Sequence, residues 1–247
     1  MKIGILGLGE VGQAIKEVYL NADTRNFEIM VNDLKKGINE FGPMIEVLNV
    51  CIPYSDKFEQ IVEAICDRYV VGVKIIHSTV PVGTTERLNA KLGSVVHSPV
   101  RGVHPKLYEG VKTFIKYIGA DDAEVGEAVK NHFVDDLKLP VVLFDRSKAT
   151  ELAKLLDTTY YGLAIAYHKY ADDICREAGV KFTDVMTDFN ESYNLGYKQL
   201  GKHNVVRPVL YAPEDGKIKG HCVIPNAEIL REQFGDDEIL KSILRLK

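Results

Sequence analysis

MKIGILGLGEVG, residues 1–12, joins a short apolar strand directly to Gly7-x-Gly9-x-x-Gly12 and then to the amphipathic run Val11, Ala14, Ile15, Val18 and Tyr19. Strand, glycine turn and helix in that order form a dinucleotide-binding fingerprint. The spacing predicts a task for each glycine: Gly7 makes the tight turn, Gly9 lets the backbone approach a pyrophosphate, and Gly12 lets the helix pack on the strand. The amides of Gly9, Glu10, Val11 and Gly12 then face the phosphates from a helix N-terminus, which favours anions. A second apolar run, Phe27 to Val31, ends at Asn32-Asp33. Asp33 follows the turn by about 20 residues, where an acidic side chain accepts hydrogen bonds from the adenosine ribose hydroxyls and repels a 2′-phosphate. NAD is therefore the expected cofactor; Lys35 and Lys36 are the features that would suit NADP.

Working outward from the turn, apolar runs recur at Val47 to Ile52, Val73 to Ile76, Val95 to His97, Phe114 to Ile118 and Val141 to Phe144. Helical patterns between them are expected at Ser55 to Tyr69, Thr84 to Leu92 and Asp122 to Val134. This alternation predicts an α/β fold, a doubly wound Rossmann-type parallel sheet over residues 1–146. From Ser147 the pattern becomes helical up to Gly179, a span of about 45 Å. Leu156, Tyr160, Leu163, Tyr167, Tyr170 and Ile174 recur along it at helical spacing as one apolar stripe. The stripe predicts a long interdomain helix that also serves a homodimer, leading a smaller all-helical domain over 147–247. Further helices are expected at Thr183 to Leu200 and Asn226 to Leu246.

A chain of 247 residues has room for one large or two modest domains, and 46% hydrophobic with 27% charged residues is ordinary for a globular protein. The net charge of -4 offers nothing to nucleic acid or an anionic membrane. A strand beginning at Met1 leaves no room for a signal peptide, and no apolar run has the length of a membrane span, so a cytoplasmic protein is expected. Cys51, Cys66, Cys175 and Cys222 are scattered, with neither a Cys-x-x-Cys pair nor histidines at ligand spacing, so no metal and no disulfide framework is expected.

Three further segments carry chemistry. His77-Ser78-Thr79-Val80-Pro81-Val82-Gly83-Thr84-Thr85 leaves the fourth strand at the carboxyl edge of the sheet, where ligands bind; Pro53, Ser78 and Thr79 are expected to face the cofactor there. The hydroxyls serve equally as caps of the next helix. Glu151-Leu-Ala-Lys154-Leu-Leu-Asp157-Thr158 opens the long helix, with Lys154, Thr158 and Tyr161 on one face. Lys154 can stabilise an alkoxide or act as a base, or simply pair with Glu151 or Asp157 in solvent. In Gly220-His221-Cys222-Val223-Ile224-Pro225 an accessible Cys222 could attack an aldehyde, although a lone cysteine is more often a small buried residue.

Gly7-Leu-Gly9-Glu-Val-Gly12, Ser78-Thr79-Val80-Pro81-Val82-Gly83, Ser98-Pro99, Glu151-Leu-Ala-Lys154 and Gly220-His221-Cys222 with its following proline occur in one order across nearly the whole chain. Together they resemble the UDP-glucose and GDP-mannose 6-dehydrogenase family. The resemblance implies a two-step oxidation in which a primary alcohol on a nucleotide sugar loses hydride to NAD, cysteine traps the aldehyde, and a second hydride leaves a thioester for hydrolysis. It implies that Cys222 is the nucleophile, Lys154 the oxyanion stabiliser and Thr79 a neighbour of the cofactor.

The chain departs from that family at defined places. Thr158 stands where the family has asparagine, and Val100 stands where a glutamate assigned to thioester hydrolysis follows Ser-Pro. Cys222-Val-Ile-Pro225-Asn226 replaces Cys-x-Pro-x-Asp. His97, His104 and His221 are the candidate replacement bases. Family members continue into a second α/β domain that grips the nucleotide, whereas this sequence stops one helix after Cys222. Two other functions fit the residues: a β-hydroxyacid-type dehydrogenase, needing Lys154 but not Cys222, and a catalytically reduced NAD-binding partner or regulator.

Overall fold

Alternating side chains on the first strand, β1 (Lys2–Leu6), feed two separate cores: Ile3 and Ile5 are wholly buried on one face of the sheet, Leu6 on the other. The computed structural model describes residues 1–247 except Arg25, His104, Glu214, Gly220 and His221. The chain continues through α1 (Glu10–Leu20), β2 (Glu28–Asp33), β3 (Ile38–Asn39), β4 (Met44–Val50), α2 (Phe58–Arg68), β5 (Val70–Ile76), α3 (Thr84–Leu92), β6 (Val95–His97), α4 (Leu107–Thr113), β7 (Lys116–Gly119), α5 (Ala123–Asn131) and β8 (Val141–Phe144). The strands form one eight-stranded sheet in the order β3-β2-β1-β4-β5-β6-β7-β8. Residues from α1, α4 and α5 fill the core on one face, and those from α2 and α3 the core on the other. The order reverses at β1, between β2 and β4, so the glycine turn lies at the switch point where such sheets bind ligands.

The expected doubly wound sheet is present, with two departures from a wholly parallel one. β3 pairs antiparallel with β2, and β7 meets β6 antiparallel through the single pair His97 and Gly119. The chain between β6 and β7 returns to the edge it left, so β7 needs no crossover. Its short helix α4 leaves little mark in the sequence, because Gly110 interrupts a seven-residue segment whose buried residues are Leu107, Gly110 and Val111.

Residues divide into two compact units, Met1–Lys154 and Leu155–Lys247. Helix α6 (Ser147–Ala178) begins in the first, and the second contains its remainder with α7 (Phe189–Gln199), α8 (Val223–Phe234) and α9 (Glu238–Leu244). Along α6 the buried positions Leu155, Thr159, Gly162, His168, Asp172 and Cys175 form the packed face. A Cβ on Gly162 would overlap the Val223 side chain, so α8 approaches α6 there. The apolar stripe lies on other faces, with Leu156, Tyr160, Tyr167, Tyr170 and Ile174 all exposed. The single helix expected over 226–246 is two: Gly235 at φ +92 ends α8, and the Asp237 carboxylate accepts from the Ile239 amide to start α9. No helix among the described residues is long and apolar enough to cross a membrane.

The glycines of the turn differ in what they tolerate. A Cβ on Gly12 would overlap the Gly7 carbonyl oxygen, whereas one on Gly9 would meet no protein atom within 4 Å. Gly12→Ala should therefore lower unfolding free energy by about 2 kcal/mol or more, and Gly9→Ala by under about 1 kcal/mol, in urea titrations. Equal losses would sink this assignment.

Candidate cofactor and catalytic site

Gly7 adopts φ +91, in the left-handed region, and packs so closely that a Cβ would lie 2.8 Å from Ile52 Cγ2. Its amide donates to Asn32 O at 2.8 Å, tying the turn to the end of β2. One residue on, the Leu8 amide donates to Asp33 Oδ2 at 2.8 Å, while Oδ1 accepts from the Lys36 amide at 3.1 Å. The Leu8 amide holds the Asp33 carboxyl below its ordinary range, so it is an anion at neutral pH. Lys36 Nζ is turned onto Leu8 O at 2.7 Å. Gly9 is the N-cap of α1 and, with Glu10, is exposed; Val11 is half-buried and Gly12 buried. The packing thus accounts for Gly7 and Gly12, and leaves an open cradle above Gly9 at a helix N-terminus, suited to a pyrophosphate.

The segment after β5 is tied to the same edge. Ser78 Oγ donates to Ile52 O at 2.5 Å, one residue before the exposed Pro53, and Thr79 is half-buried beside it. The N-terminus of α3 is capped from a distance: Glu151 Oε2 accepts from the Gly83 amide at 2.5 Å and Oε1 from the Thr85 amide at 2.8 Å. Glu151 is fully buried, and desolvation raises its carboxyl pKa against the pull of these amides. Its carboxylate is therefore committed to α3, and the half-buried Lys154 stands three residues further along the same helix. Thr150 Oγ1 lies 2.8 Å from His97 Nδ1, which fixes the first turn of α6 against β6.

Beneath this edge is a buried polar cluster that sequence reading did not assemble. Lys116, at the start of β7, directs Nζ to Ser98 O at 2.5 Å, Pro99 O at 3.0 Å and His77 Nδ1 at 3.2 Å. Burial pushes it down to about 7. His77 Nε2 lies 2.9 Å from Asn49 Oδ1, and Asn49 Nδ2 donates to Tyr19 OH at 3.4 Å. Tyr19 OH lies 2.9 Å from His132 Nε2, whose Nδ1 is 2.8 Å from Asp136 Oδ2. Of the candidate bases, His97 has both nitrogens engaged, by Thr150 Oγ1 and Ser78 O, and burial pushes it down to about 3. His104 and His221 lie outside the described residues, as does Gly220. Val100 is buried in the sheet core.

Within the second unit, Thr158 is half-buried on α6, one turn beyond Lys154 on that helix. Cys222 is the half-buried N-cap of α8, with its carbonyl accepting from the Asn226 amide at 3.1 Å and its sulfur outside any disulfide. The first unit therefore gathers Gly7, Gly9, Gly12, Asp33, Pro53, Ser78, Thr79 and Lys154 around one sheet edge, while Thr158 and Cys222 belong to the second unit.

No protein-family model matches the chain. A UDP-N-acetyl-D-mannosamine dehydrogenase from Methanococcus vannielii is 23% identical over 206 residues, covering 82% of this chain and 42% of the relative, so the chain spans less than half of that protein's length. The solved UDP-D-ManNAc dehydrogenase from Pyrococcus horikoshii superposes with TM-score 0.73 at 15% identity, over 100% of this chain and 68% of that one. A 3-hydroxyisobutyrate dehydrogenase from Mycobacterium tuberculosis superposes with TM-score 0.68 at 12% identity, over 99% and 91%. The resemblance to nucleotide-sugar dehydrogenases holds in sequence and in fold.

Two outcomes test the anchoring of this edge. Glu151→Ala removes two charge-assisted caps and should cost about 3 kcal/mol in urea unfolding; an unchanged midpoint would mean that the cap does no structural work. His97 is held neutral when folded but takes a proton at its ordinary value, 6.5, when unfolded. The unfolded state then binds more protons between about 3 and 6.5, and stability is lost as pH falls through that window, each unit of separation being worth ~1.4 kcal/mol. His97→Gln should flatten the urea midpoint's dependence on pH over that range.

Proposed function

We propose that the protein is an NAD-dependent dehydrogenase acting on a CH–OH group, with a nucleotide sugar as its substrate class. The observation that carries this reading is the Gly9 cradle: an open glycine on a helix N-terminus, beside an ionised Asp33, at the switch point of a doubly wound sheet. Gly9, Glu10, Val11 and Gly12 would hold the pyrophosphate, Asp33 the adenosine ribose, and Pro53, Ser78 and Thr79 the nicotinamide half. A carboxylate at Asp33 disfavours a 2′-phosphate, which supports NAD over NADP. Bound NAD supplies a hydride acceptor.

The chain's own groups supply the rest. Lys154 takes the hydroxyl proton or holds the developing alkoxide, and Thr158 adds a hydroxyl donor one turn on. The Cys222 sulfur would add to the aldehyde carbon, giving up its proton, to form a thiohemiacetal; loss of a second hydride, for which a second NAD would be the acceptor, leaves a thioester for water to cleave. The exposed stripe of Leu156, Tyr160, Tyr167, Tyr170 and Ile174 supports a homodimer in which α6 meets its copy. Four cysteines outside any disulfide and NAD-linked chemistry suit the cytoplasm.

A second reading, a β-hydroxyacid dehydrogenase, is favoured by the coverage of 91% of the 3-hydroxyisobutyrate dehydrogenase fold. One set of variants separates them. Turnover with a panel of nucleotide sugars and small hydroxy acids is followed as NADH, with Cys222→Ser and Lys154→Met. The nucleotide-sugar reading expects loss of acid formation in Cys222→Ser with NAD binding intact; full activity of that variant on a hydroxy acid supports the second. Gly9→Ala should weaken NAD at least ~10-fold in calorimetry while the protein stays folded, and unchanged affinity would defeat the cradle.

Light scattering should give a dimer mass that Tyr167→Asp with Tyr170→Asp reduces to a monomer. A monomeric wild type would remove the dimer.

A further inference from the structure

Asn226, in the first turns of α8, is 4% exposed, and its side-chain nitrogen Nδ2 is buried with no hydrogen-bond partner among the described residues. A buried amide that has given up water for no partner costs stability. Its helix offers it none, because Val223, Ile224, Ala227 and Leu230 are the other buried residues of α8, all apolar. Cys222 keeps right-handed helical angles, φ −109 and ψ −48, and its carbonyl accepts from the Asn226 backbone amide at 3.1 Å. The two side chains are four residues apart, hence on one face. Helical side chains lean toward the N-terminus and cover the preceding turn, so Nδ2 is aimed at the end of α8 that Cys222 opens.

That end is suited to a negatively charged oxygen. No side chain caps it and no acidic residue stands in its first turn. The leading amides of Val223 and Ile224 precede any intrahelical acceptor, and the helix dipole is positive there. Within the second unit it lies against α6, since a Cβ on Gly162 would overlap the Val223 side chain, and Thr158 is one turn before Gly162 on the same face. An aspartate at position 226 could only accept when ionised; the asparagine amide donates. We propose that Asn226 is a catalytic residue: its side-chain amide donates to the oxyanion formed when the Cys222 sulfur adds to a carbonyl carbon. This rests on the reading of Cys222 as the nucleophile. In that addition the S–H bond breaks and an S–C bond forms, the carbonyl π pair moves onto oxygen, and the thiol proton passes to water. The orphaned donor is satisfied only while the adduct exists, so its hydrogen bond lowers the barrier rather than the ground state.

Two small electrophiles test this on the full chain without NAD or a sugar. p-Nitrophenyl acetate acylates a thiol through the same kind of oxyanion, forming S–C and expelling p-nitrophenolate. Iodoacetamide alkylates it by displacing iodide, with no charge placed on the carbonyl oxygen. Both rates at Cys222 are read by peptide mass spectrometry in wild type, Asn226→Leu and Asn226→Ala. Acylation should fall about 100-fold in both variants, the size expected for one oxyanion donor, while alkylation keeps its wild-type rate. The urea midpoint of Asn226→Leu should match or exceed wild type, because an unpaired amide gives way to an apolar group of similar size. Unchanged acylation, an equal loss of both reactions, or a wild-type Cys222 that takes neither reagent overturns the proposal. A lowered midpoint in Asn226→Leu, or failure of both variants to fold, also overturns it by assigning the amide to structure. A selective loss of acylation in a protein that oxidises no nucleotide sugar to an acid leaves the oxyanion donor standing and removes the two-step oxidation.

Discussion

A single buried carboxylate organises the working edge of the sheet unit. Glu151 is removed from water and answered by two backbone amides at the start of α3, where unpaired N–H groups and the helix dipole both favour negative charge. A desolvated carboxylate without such partners would cost several kcal/mol, so the arrangement holds only if α6 begins where Glu151 can reach Gly83 and Thr85. That requirement fixes the register of α6 against the segment that leaves β5. It also fixes Lys154, three residues on. The Ser-Thr-Val-Pro-Val-Gly run and the Glu-Leu-Ala-Lys run, far apart in sequence, are two halves of one device.

Under that edge the polar groups form one continuous chain. Lys116 Nζ and His77 Nδ1 both meet Ser98 O, His77 Nε2 lies 2.9 Å from Asn49 Oδ1, Asn49 Nδ2 donates to Tyr19 OH, Tyr19 OH lies 2.9 Å from His132 Nε2, and His132 Nδ1 lies 2.8 Å from Asp136 Oδ2. The chain runs from a cation at the ligand edge to an acidic side chain on the π-helical turn after α5. Burial keeps the Tyr19 phenol far above its ordinary value, so it passes polarisation and holds its proton. The members are spread over β7, the residue after β5, β4, α1 and the turn after α5, which carries both His132 and Asp136. A network of this kind specifies how those elements meet, since a shifted strand would leave several buried groups unpaired.

What could be read in the sequence was what local geometry writes there. The glycine turn is legible because Gly7 needs its φ and Gly12 has no room for a Cβ, and both demands fall within six residues of a strand and a helix. The strands β4, β5, β6 and β8 announce themselves as apolar runs bounded by turn residues. The sense of β7 does not, because direction is set by the path of the connection and leaves no mark on composition. Lys116 was invisible for a related reason. Within Phe114 to Ile118 it reads as a polar residue of a strand, and its burial depends on carbonyls from Ser98 and Pro99 brought together only by the fold. Helical spacing makes Glu151 a possible partner of Lys154, but the contact that its carboxylate makes with Gly83 spans 68 residues.

The replacement of glutamate by Val100 is more than the loss of one side chain. Val100 is buried in the core that includes Ile75, Val96 and Ile118, and the carbonyls of the two residues before it, Ser98 and Pro99, are held by the Lys116 ammonium. The neighbourhood is therefore built around a cation and apolar contacts. On the dehydrogenase reading, such a setting favours an alkoxide, because positive charge stabilises the oxygen anion borne by the carbon from which hydride departs. Position 100 itself offers no carboxylate to activate a water for thioester cleavage, and His97 and His77, neutral with every ring nitrogen engaged, do not take over that task. On the dehydrogenase reading, the sheet unit is equipped for the first oxidation, alcohol to carbonyl, which nucleotide-sugar and hydroxyacid substrates share. On the same reading, oxidation beyond the carbonyl would be the task of Cys222.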